Sequence, residues 1–593
     1  MRYLLFILLL QVTNALIADP SLSYKLSMPE PWTHYIEVEM TIDENRDRRL
    51  ELKMATWTPG SYLIREYARH LEGLTAEDAD GNQLGITKLN KNTWEVETGD
   101  AKELTVRYRI YAFEHSVRTP YVDDEHAAII PAGVFLYMAD HDVPSTITFE
   151  PYRDWDDIAT ALPKVDGNPW VRAAPGIDIL FDTPIEIGDL EVVEFEAAGI
   201  PHTLAIQGQG NYDAEELAEP ISNIVEACTD IFGSNPNEEY LFILNTTESG
   251  GGGLEHLNST SLISSRWGFQ SESSRRGFLS LVSHEYFHLW NAKRIRPEAL
   301  GPFNYDEENY TRALWVVEGF TSYYDDLLLR RADIISEQAY LDIASKNITN
   351  TQNRAGDRVQ PVADASFDAW IKYYRPHENS SNTTVSYYSK GAVVAMMLDL
   401  LILSETKGNR SLDDVMKALW RDFQRRPEEG YTDAEFQNIV EKVAGMELDE
   451  FWADYVDGTE RIDFASFFEP LGLEVVNELE GRKVLRFGAA IDGSNRISRV
   501  VRGEPAYEAG ISAKDELISI DGWRVRNGDV SSVLHRIEEG STVDVVIARK
   551  GRIMTMQVQM VGQERSRFAL RTMEDPSEIQ QKLYDQWLRV VVD

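Results

Sequence analysis

The spacing of apolar residues changes near residue 213 of this 593-residue chain, and that change restricts the fold. Before it, segments such as residues 35–42, 103–113 and 146–151 alternate apolar with polar positions, and turn-forming residues separate them. Alternation with a period of two is typical of half-buried β-strands. We therefore predict an N-terminal β-sandwich-like domain over residues 19–195.

A different pattern follows the β domain. Apolar residues recur at helical spacing from about residue 213 to residue 457, which predicts a mainly α-helical middle domain over residues 196–460. Residues 498–525 are then predicted to form strand, short helix and strand, with a further helix around residues 530–538. These patterns predict a multidomain α+β protein with a third domain over residues 461–563 and a tail containing a helix over residues 564–593.

The net charge excludes one class of partner. Lys and Arg total 58 while Asp and Glu total 98, so the formal charge is -40 at pH 7. A surface of that sign repels phosphate groups, so we expect no nucleic acid partner. Cys228 is the only cysteine, which excludes an intramolecular disulfide and leaves stability to hydrophobic cores and any bound metal.

The first 18 residues have the order of features found in a secretory signal peptide. Arg2 precedes a short apolar run over residues 3–10, and small residues follow it. Cleavage is expected after Ala15 or Ala18, which predicts an exported protein, either periplasmic or secreted. The later apolar stretch at residues 391–403 is interrupted by Asp399 and is too short to span a bilayer. It predicts a buried helix, so we expect no membrane span after signal removal.

A pair of histidines in the middle domain indicates a metal site. Apolar periodicity predicts a helix over residues 275–295, in which His284 and His288 lie one turn apart on one face. Two imidazoles at that spacing reach one tetrahedral ion at about 2.0–2.1 Å, with Glu285 beside the open coordination position. From the composition, this arrangement of His, acid and His is expected about 0.03 times by chance. The alternative is two partly buried helix histidines without a metal.

A second predicted helix, over residues 313–332, offers a third ligand. Glu318 lies in its apolar first turn, where a carboxylate needs a partner. Three protein ligands with a fourth position left for water are typical of catalytic rather than structural zinc. We therefore predict one Zn²⁺ per chain, bound by His284, His288 and Glu318, with Glu285 as the general base. A surface salt bridge is the alternative for Glu318.

Five segments together resemble a known enzyme family. They are HEYFH at 284–288, WVVEGFTSYY at 315–324, WTPGSYLIREYARH at 57–70, GGGGLEH at 250–256 and a C-terminal domain similar to bacterial PDZ domains. The chain resembles the glycyl aminopeptidases, metallopeptidase family 61 of the gluzincin zinc peptidases. The resemblance implies a thermolysin-like catalytic domain behind the β domain, and a preference for small N-terminal residues such as Gly or Ala.

The glycine run at residues 250–253 allows the backbone to approach another chain closely, so that a peptide can pair with it as an added strand. In the resemblance, Gly251, Gly252 and Gly253 bind the substrate and Glu255 holds its α-ammonium group. His256 departs from the aminopeptidase N pattern, which has Asn after the acid. A flexible turn with a solvated acid is the alternative.

The segment SYYSKGAVVAMML at residues 386–398 resembles the tyrosine-containing helix start of the same relatives. Tyr388 then matches the residue whose phenol donates to the oxyanion of a tetrahedral intermediate. Tyr387 is its neighbouring competitor. Core packing is the alternative for either tyrosine.

Residues 499–522 carry the PDZ resemblance, and LGLE at residues 471–474 is the expected carboxylate-binding loop. A PDZ groove binds a peptide C-terminus or an extended peptide by strand addition. A spacer packed against the catalytic domain is the alternative for this region.

Together these features predict an exported zinc aminopeptidase that acts on peptides with a free N-terminus. One alternative is an endopeptidase or processing protease whose PDZ groove recruits chains. A second is a non-catalytic peptide-binding module with a structural metal. The presence of Glu285 disfavours the second, because a structural site needs no base beside it.

Overall fold

Strands dominate the chain as far as residue 188 in the computed structural model, which describes residues 21–589. The predicted signal peptide lies outside the described residues. The elements of this N-terminal region are β1 Ser21–Ser27, β2 Tyr35–Asp43, β3 Leu50–Lys53, β4 Leu71–Asp78, β5 Gly85–Lys88, β6 Thr93–Glu97, β7 Leu104–Tyr111, β8 Phe113–Ser116, β9 Thr119–Val122, β10 His126–Ile129, β11 Tyr137–Met138, β12 Ser145–Glu150, β13 Asp157–Thr160, β14 Lys164–Val165, β15 Asn168–Ala174, α1 Ile177–Phe181 and β16 Ile185–Gly188.

Three sheets enclose the core of the N-terminal region. A seven-stranded sheet has the order β14-β15-β12-β1-β2-β7-β4, a five-stranded sheet the order β13-β16-β10-β9-β8, and a four-stranded sheet the order β11-β3-β6-β5. Leu26 of β1 and Val38 and Met40 of β2 are buried, while the residues between them face outward. The alternation therefore places one face of each strand in the core, and the predicted β-rich N-terminal domain is confirmed.

The middle region combines one sheet with a helical body. Its elements are β17 Glu191–Ala197, β18 Ile200–Gln207, α2 Ala214–Phe232, β19 Tyr240–Thr247, β20 Gly252–Glu255, β21 Ser259–Ser265, α3 Glu272–Phe287, α4 Leu314–Arg331, α5 Glu337–Asn353, α6 Val362–Phe367, α7 Ser380–Thr383, α8 Ser389–Glu405, α9 Leu412–Arg425, α10 Asp433–Ala444, α11 Asp449–Phe451 and α12 Phe464–Phe468. The sheet has the order β17-β18-β19-β21-β20, so β20 forms its edge.

The second predicted ligand helix, over residues 313–332, is α4, but the first, predicted over residues 275–295, ends as α3 at Phe287, so that His288 is its C-cap residue. Ser271 caps α3 by accepting a hydrogen bond from the backbone N–H of Ser274 at 3.1 Å, which satisfies one of the free donors of the first turn. The predicted buried helix is α8, and Asp399 within it is fully buried. Cys228 of α2 is also buried. Over residues 21–589, every helix is too short or too polar to cross a membrane.

The remaining elements form a further domain, and the last of them pack against the middle region. They are β22 Leu473–Asn477, β23 Lys483–Val484, β24 Ala489–Ile491, β25 Ile497–Val500, α13 Pro505–Glu508, β26 Glu516–Ile520, β27 Trp523–Arg524, α14 Ser531–Leu534, β28 Thr542–Arg549, β29 Arg552–Gln559, β30 Gln563–Glu564, β31 Phe568–Thr572 and α15 Glu578–Leu588. A separate hydrophobic core extends from Phe487 to Met560. We call the residues from 483 to 564 the C-terminal domain.

The segments flanking the C-terminal domain pack into the middle core. β22 pairs antiparallel with β31, and Leu473, Leu570 and Trp587 are buried there. The expected carboxylate-binding loop at residues 471–474 is part of this packing, and the carbonyl oxygen of Gly472 accepts from the N–H of Met573 at 2.9 Å. That expectation is therefore wrong, because the apolar side chains of the loop are buried away from the C-terminal domain.

Candidate active site

The three predicted ligands converge on one point. His284 lies in the last turn of α3, His288 directly follows that helix, and Glu318 lies on α4. The two Nε2 atoms are 3.1 Å apart, and they lie 3.4 Å (His284) and 3.2 Å (His288) from Glu318 Oε2. Ligands at about 2.0–2.1 Å from a tetrahedral ion are about 3.3–3.4 Å from one another, so these atoms fit one such ion.

The second ring nitrogen of each histidine has a partner that orients the ring. His284 Nδ1 lies 3.1 Å from Asp325 Oδ2, and His288 Nδ1 lies 2.7 Å from the carbonyl oxygen of Asn291. Both partners accept hydrogen bonds, which keeps the proton on Nδ1 and leaves the Nε2 lone pair available to a metal.

Asp325 and Asn291 were not predicted. Asp325 follows Glu318 by seven residues, or two helical turns, so both lie on one face of α4, a spacing that was available in the sequence. No spacing in the sequence indicated a role for Asn291. Its Nδ2 donates to the carbonyl oxygens of Val316 and Val317 at 2.9 and 3.0 Å, which joins the loop after α3 to the first turn of α4.

The charges of the cluster favour a bound cation. Burial opposes ionisation of Glu318, but the two imidazoles outweigh it and lower the pKa of its carboxyl to about 2. Burial also opposes a charged imidazole, yet Asp325 and Glu318 raise the pKa of His284, and the charge of Glu318 is the main cause that raises that of His288. The site is thus built to hold positive charge, which a divalent ion supplies in place of protons.

Glu285 lies beside the three ligand atoms without joining them. Its side chain is 4% exposed, and Oε2 has no hydrogen-bond partner among the described residues. Burial, with added repulsion from Glu255 and Glu318, raises the pKa of Glu285 to about 7 although the imidazoles oppose this. A carboxylate with a pKa near neutrality can both accept and return a proton.

The predicted glycine run lies along the edge of the middle sheet. Gly252 and Gly253 begin β20, which pairs with β21 on one side only within the described structure. A Cβ at position 253 would overlap the carboxylate of Glu285, and Gly252 has a φ of +140° that favours glycine. Gly251 is exposed and precedes the strand. The structure therefore brings Gly253 to the site and leaves Gly251 at its margin.

Glu255 closes one end of this cleft. Its side chain is 4% exposed, and one carboxylate oxygen lies within 4.8 Å of ligand atoms of Glu285 and His288. Gly60 of the N-terminal domain lies directly against it, because a Cβ there would be 2.7 Å from both carboxylate oxygens. The Gly60 φ of +81° also favours glycine. Gly60, from the motif at residues 57–70, thus forms part of one wall of the site.

Arg118 is a second contribution of the N-terminal domain that sequence reasoning missed. It lies between β8 and β9, and its Nη2 donates to the carbonyl oxygen of Gly253 at 3.3 Å. Although burial opposes its charge, Tyr374, Tyr388, Glu285 and Glu255 outweigh burial and raise its pKa. The guanidinium therefore stays charged and holds β20 in place. No local pattern links residue 118 to residue 253, so nothing in the sequence indicated this contact.

The two candidate tyrosines, which directly precede α8, lie close to α4 because the two helices cross closely, and a Cβ on Gly319 would be 2.9 Å from the carbonyl oxygen of Tyr387. A Cβ on Gly319 would be 2.6 Å from the Cα of Gly391. The ring of Tyr388 stacks 6.1 Å from that of His284 and is partly exposed, whereas Tyr387 is fully buried. The Tyr387 hydroxyl has no hydrogen-bond partner among the described residues. Exposure to the cleft therefore favours Tyr388 as the residue that meets a substrate.

His256, which replaces the Asn of the aminopeptidase N pattern, has a structural role. Its Nδ1 lies 3.4 Å from Asp182 Oδ1, and Lys293 Nζ is 2.5 Å from the same oxygen. Burial raises the pKa of Asp182, but Lys293 and His256 outweigh it and lower that pKa. His256 therefore connects the edge strand to an ion pair and does not point at the ligand cluster.

Two family models match the chain. The model of the M61 glycyl aminopeptidase matches residues 277–394, and the model of the peptidase M61 N-terminal domain matches residues 23–189. The first of these ranges contains the ligand cluster, Glu285 and Tyr388, and the second contains Gly60 and Arg118. No curated protein sequence matches the chain.

The chain is also similar to solved structures. An aminopeptidase N family protein from Idiomarina loihiensis is 31% identical, with a TM-score of 0.89 and alignment over 96% of this chain and 100% of that one. An M1 zinc metallopeptidase from Deinococcus radiodurans is 15% identical, with a TM-score of 0.46 over 75% of this chain and 95% of that one. Yeast LTA4 hydrolase in complex with bestatin is 11% identical, with a TM-score of 0.46 over 76% and 67%.

Proposed function

Because this chain belongs to the M61 glycyl aminopeptidase family, we propose that it is an exported zinc aminopeptidase that removes small residues such as Gly or Ala from peptides with a free N-terminus. Family membership makes the chain a metallopeptidase, a hydrolase of peptide bonds. The choice of zinc, the N-terminal specificity and the export are the parts that we propose.

His284, His288 and Glu318 would hold the metal. Two imidazoles and one carboxylate are a donor set that suits Zn²⁺, and their spacing of 3.1 to 3.4 Å matches a tetrahedral site. When bound, zinc lowers the pKa of a coordinated water to about 7 and polarises the scissile carbonyl. Asp325 and Asn291 keep the two imidazoles oriented for this role.

Glu285 and Tyr388 would handle the proton and the developing negative charge. Glu285 has a free carboxylate oxygen in a buried position, so it can accept the proton of the attacking water and deliver it to the leaving amine. Tyr388, partly exposed beside His284, can donate its phenol hydrogen to the oxyanion of the tetrahedral intermediate.

Glu255 would select the substrate N-terminus. The free edge of β20 can pair with an extended peptide, which places the peptide's first residue near the end of the strand. There the Glu255 carboxylate is buried close to Glu285, whose pKa its charge raises, so an α-ammonium group would relieve that repulsion and donate hydrogen bonds to Glu255. This buried carboxylate next to Glu285, at the end of the edge strand, is the observation that carries the aminopeptidase proposal.

The decisive experiment compares free and N-acetylated forms of one alanine peptide. Acetylation removes the charge that Glu255 would bind, so the blocked peptide should be cut at least about 100-fold more slowly. Glu255→Ala should lose most activity on the free peptide and retain its zinc, which metal analysis measures. Glu248→Ala, at an exposed acid seven residues before it, is the matched control.

Mass spectrometry of the products decides between exopeptidase and endopeptidase. An aminopeptidase releases single residues in order from one end. Equal kcat/KM for the free and acetylated peptides, with cleavage at internal bonds, would replace the proposal with the endopeptidase. Export and a PDZ-type role for the C-terminal domain belong to the same proposal, and N-terminal sequencing of the mature protein tests the cut after Ala15 or Ala18.

A further inference from the structure

A cleft with an unusual charge separates the C-terminal domain from the middle region. It consists of two adjoining cavities of about 970 and about 600 Å³, which share Asn353, Arg354, Ala355, Val501 and Arg565 in their walls. Ten Lys and Arg residues line the two cavities, against four Asp and Glu residues. The whole chain has 58 Lys and Arg against 98 Asp and Glu, so the balance of charge is reversed in this cleft.

Most of these cations have no acidic partner. Lys390 pairs with Asp357 at 2.7 Å and Arg565 with Glu504 at 3.2 Å. The other eight, among them Arg354, Arg486 and Arg499, have no carboxylate oxygen within 4.0 Å among the described residues. Arg354 Nε donates to the carbonyl oxygen of Thr384 at 2.8 Å, but the excess of cations over carboxylates still leaves this cleft positive in a protein whose net charge is -40.

The arginines around the smaller cavity repel one another. Burial and the charge of Arg499 lower the pKa of Arg354, and burial and the charge of Arg486 lower that of Arg565. Arg354, Arg486 and Arg499 all have exposed side chains that line the cavity. An anion placed between such groups would relieve the repulsion and accept bidentate hydrogen bonds.

The walls of the cleft are held together by specific hydrogen bonds. Asn382 Nδ2 donates to the carbonyl oxygen of Val500 at 2.9 Å, and Asn382 Oδ1 accepts from the backbone N–H of Arg502 at 2.9 Å. Asn353 makes the same pair of bonds with the backbone of Ser566, at 2.7 and 3.1 Å. These bonds fix the segments that carry Arg499, Arg502 and Arg565 against the middle region, so the two walls hold one position relative to each other.

The smaller cavity adjoins the active site. Ser386 and Ser389, which flank the two candidate tyrosines, lie in its wall. The ring centroids of His284 and Tyr388 are 6.1 Å apart, and those of Tyr388 and Tyr373 are 5.4 Å apart. Because Ser386 and Ser389 lie within two residues of Tyr388, the cleft begins next to the candidate oxyanion donor, and a peptide of several residues that runs out of the site in this direction, at about 3.3–3.6 Å per residue, enters it.

We propose that this basic cleft binds carboxylate groups of the peptide substrate, downstream of the bond that is cut. Two sources share this chemistry, namely the side chains of Asp and Glu and the terminal carboxylate of a short peptide. The cleft selects acidic peptides against the general repulsion of the surface. The inference rests on the proposed function for the bond that is cut, but the cleft itself is separate from the residues assigned to catalysis.

The test measures kcat/KM on six-residue peptides that begin with Ala-Gly-Gly-Gly and end in either Glu-Glu or Gln-Gln. Each is made with a free and with an amidated C-terminus. We expect about tenfold higher kcat/KM for the Glu peptide at low salt, and a smaller ratio at 0.5 M salt, because added salt screens exposed charges. A preference for Glu over Gln between the two amidated peptides comes from the side chains, whereas a preference for the free over the amidated Gln peptide comes from the terminal carboxylate.

Variants connect the preference to the cleft. Arg486→Gln combined with Arg499→Gln should reduce the ratio to within about twofold, while kcat/KM on alanine p-nitroanilide, which does not reach the cleft, stays unchanged. Arg486→Lys with Arg499→Lys keeps the charge and should retain most of the preference. Arg552→Gln, at an exposed arginine of the same domain outside both cavities, is the control.

Two results would overturn the inference. One is equal cleavage of all four peptides by the wild-type protein, and the other is a preference that the double Gln variant keeps. If either result is found while activity on alanine p-nitroanilide is full, the inference about the cleft fails and the aminopeptidase proposal stands. If instead no peptide with a free N-terminus is cut, fluorescence anisotropy of the labelled Glu-Glu and Gln-Gln peptides on the full-length protein and its variants still reports on the cleft.

Discussion

Gly253 and Glu285 are in direct contact, so close that a Cβ on Gly253 would overlap the Glu285 carboxylate. The contact joins the edge strand to the helix that carries both histidines. It places the strand on which a substrate would pair next to the residue that would take the water proton. Glycine is required at 253 by this neighbour alone, since no positive φ is recorded there.

Gly253→Ala should abolish most activity, by about 100-fold or more in kcat/KM, because the methyl group has to displace either the strand or the base. Gly251→Ala is the matched control, since the nearest atom to its Cβ would be the carbonyl oxygen of Ile263 at 3.7 Å. Thermal unfolding of both variants separates a local effect from a loss of the fold. Similar kcat/KM for the two variants would contradict the assigned contact.

Glu285→Gln should retain the metal and lose turnover. The amide has nearly the same shape but cannot accept the water proton, so kcat should fall by about 10² to 10⁴. Metal analysis of the purified variant should still give about one zinc per chain, since residue 285 is not a ligand. A variant with wild-type kcat would remove this residue from the mechanism.

Asp325→Asn should weaken metal binding by about 10- to 100-fold, because the carboxylate that orients His284 becomes an amide. A chelator titration followed by residual activity and by metal content measures the change. Asp326→Asn is the control, as the Asp326 carboxylate accepts from Ser280 Oγ at 3.2 Å and touches neither histidine. Equal metal affinity in both variants would show that the Asp325 contact has no orienting role.

Tyr388→Phe should lower kcat by about 10- to 100-fold with little change in KM, since its hydroxyl would act only once charge has developed on the substrate oxygen. Tyr387→Phe should change kcat far less, because that ring is fully buried. If the two variants show the opposite pattern, Tyr387 is the oxyanion donor.

Asp399 makes the stability of the middle region depend on pH. Burial and the charge of Asp413 raise its pKa to about 6, against 3.8 for a free Asp. The folded state therefore binds more protons than the unfolded state between about pH 4 and pH 6, and stability falls as pH rises through that window, by about 3 kcal/mol.

Asp399→Asn removes this titration. Relative to wild type, the variant should gain stability as pH rises from 4 to 7, which unfolding in urea at several pH values measures. Asp413→Asn is the opposite case, because attraction to Arg331 outweighs burial and lowers the pKa of Asp413 to about 2. That carboxylate stabilises the fold above about pH 4, so its variant should be destabilised at pH 7. Parallel pH profiles for the two variants would contradict both assignments.

Several features were determined by the sequence itself because they depend on local periodicity. His284 and His288 are four residues apart, which on a helix places them one turn apart, and the structure has their Nε2 atoms 3.1 Å from each other. The alternation over residues 35–42 likewise placed Val38 and Met40 in the core of the N-terminal region. In such cases the backbone geometry within one element is sufficient.

Other features were decided only by tertiary structure, because they join residues that are distant in the chain. Gly60 and Arg118 come from the N-terminal domain and meet Glu255 and Gly253 across a domain boundary. In the basic cleft, Arg354 directly follows α5, whereas Arg486 and Arg499 lie more than 100 residues later, before β24 and on β25, so no window of sequence brings their charges together. Local spacing specifies which residues share a face of one element, whereas only the packing of several elements specifies which faces meet.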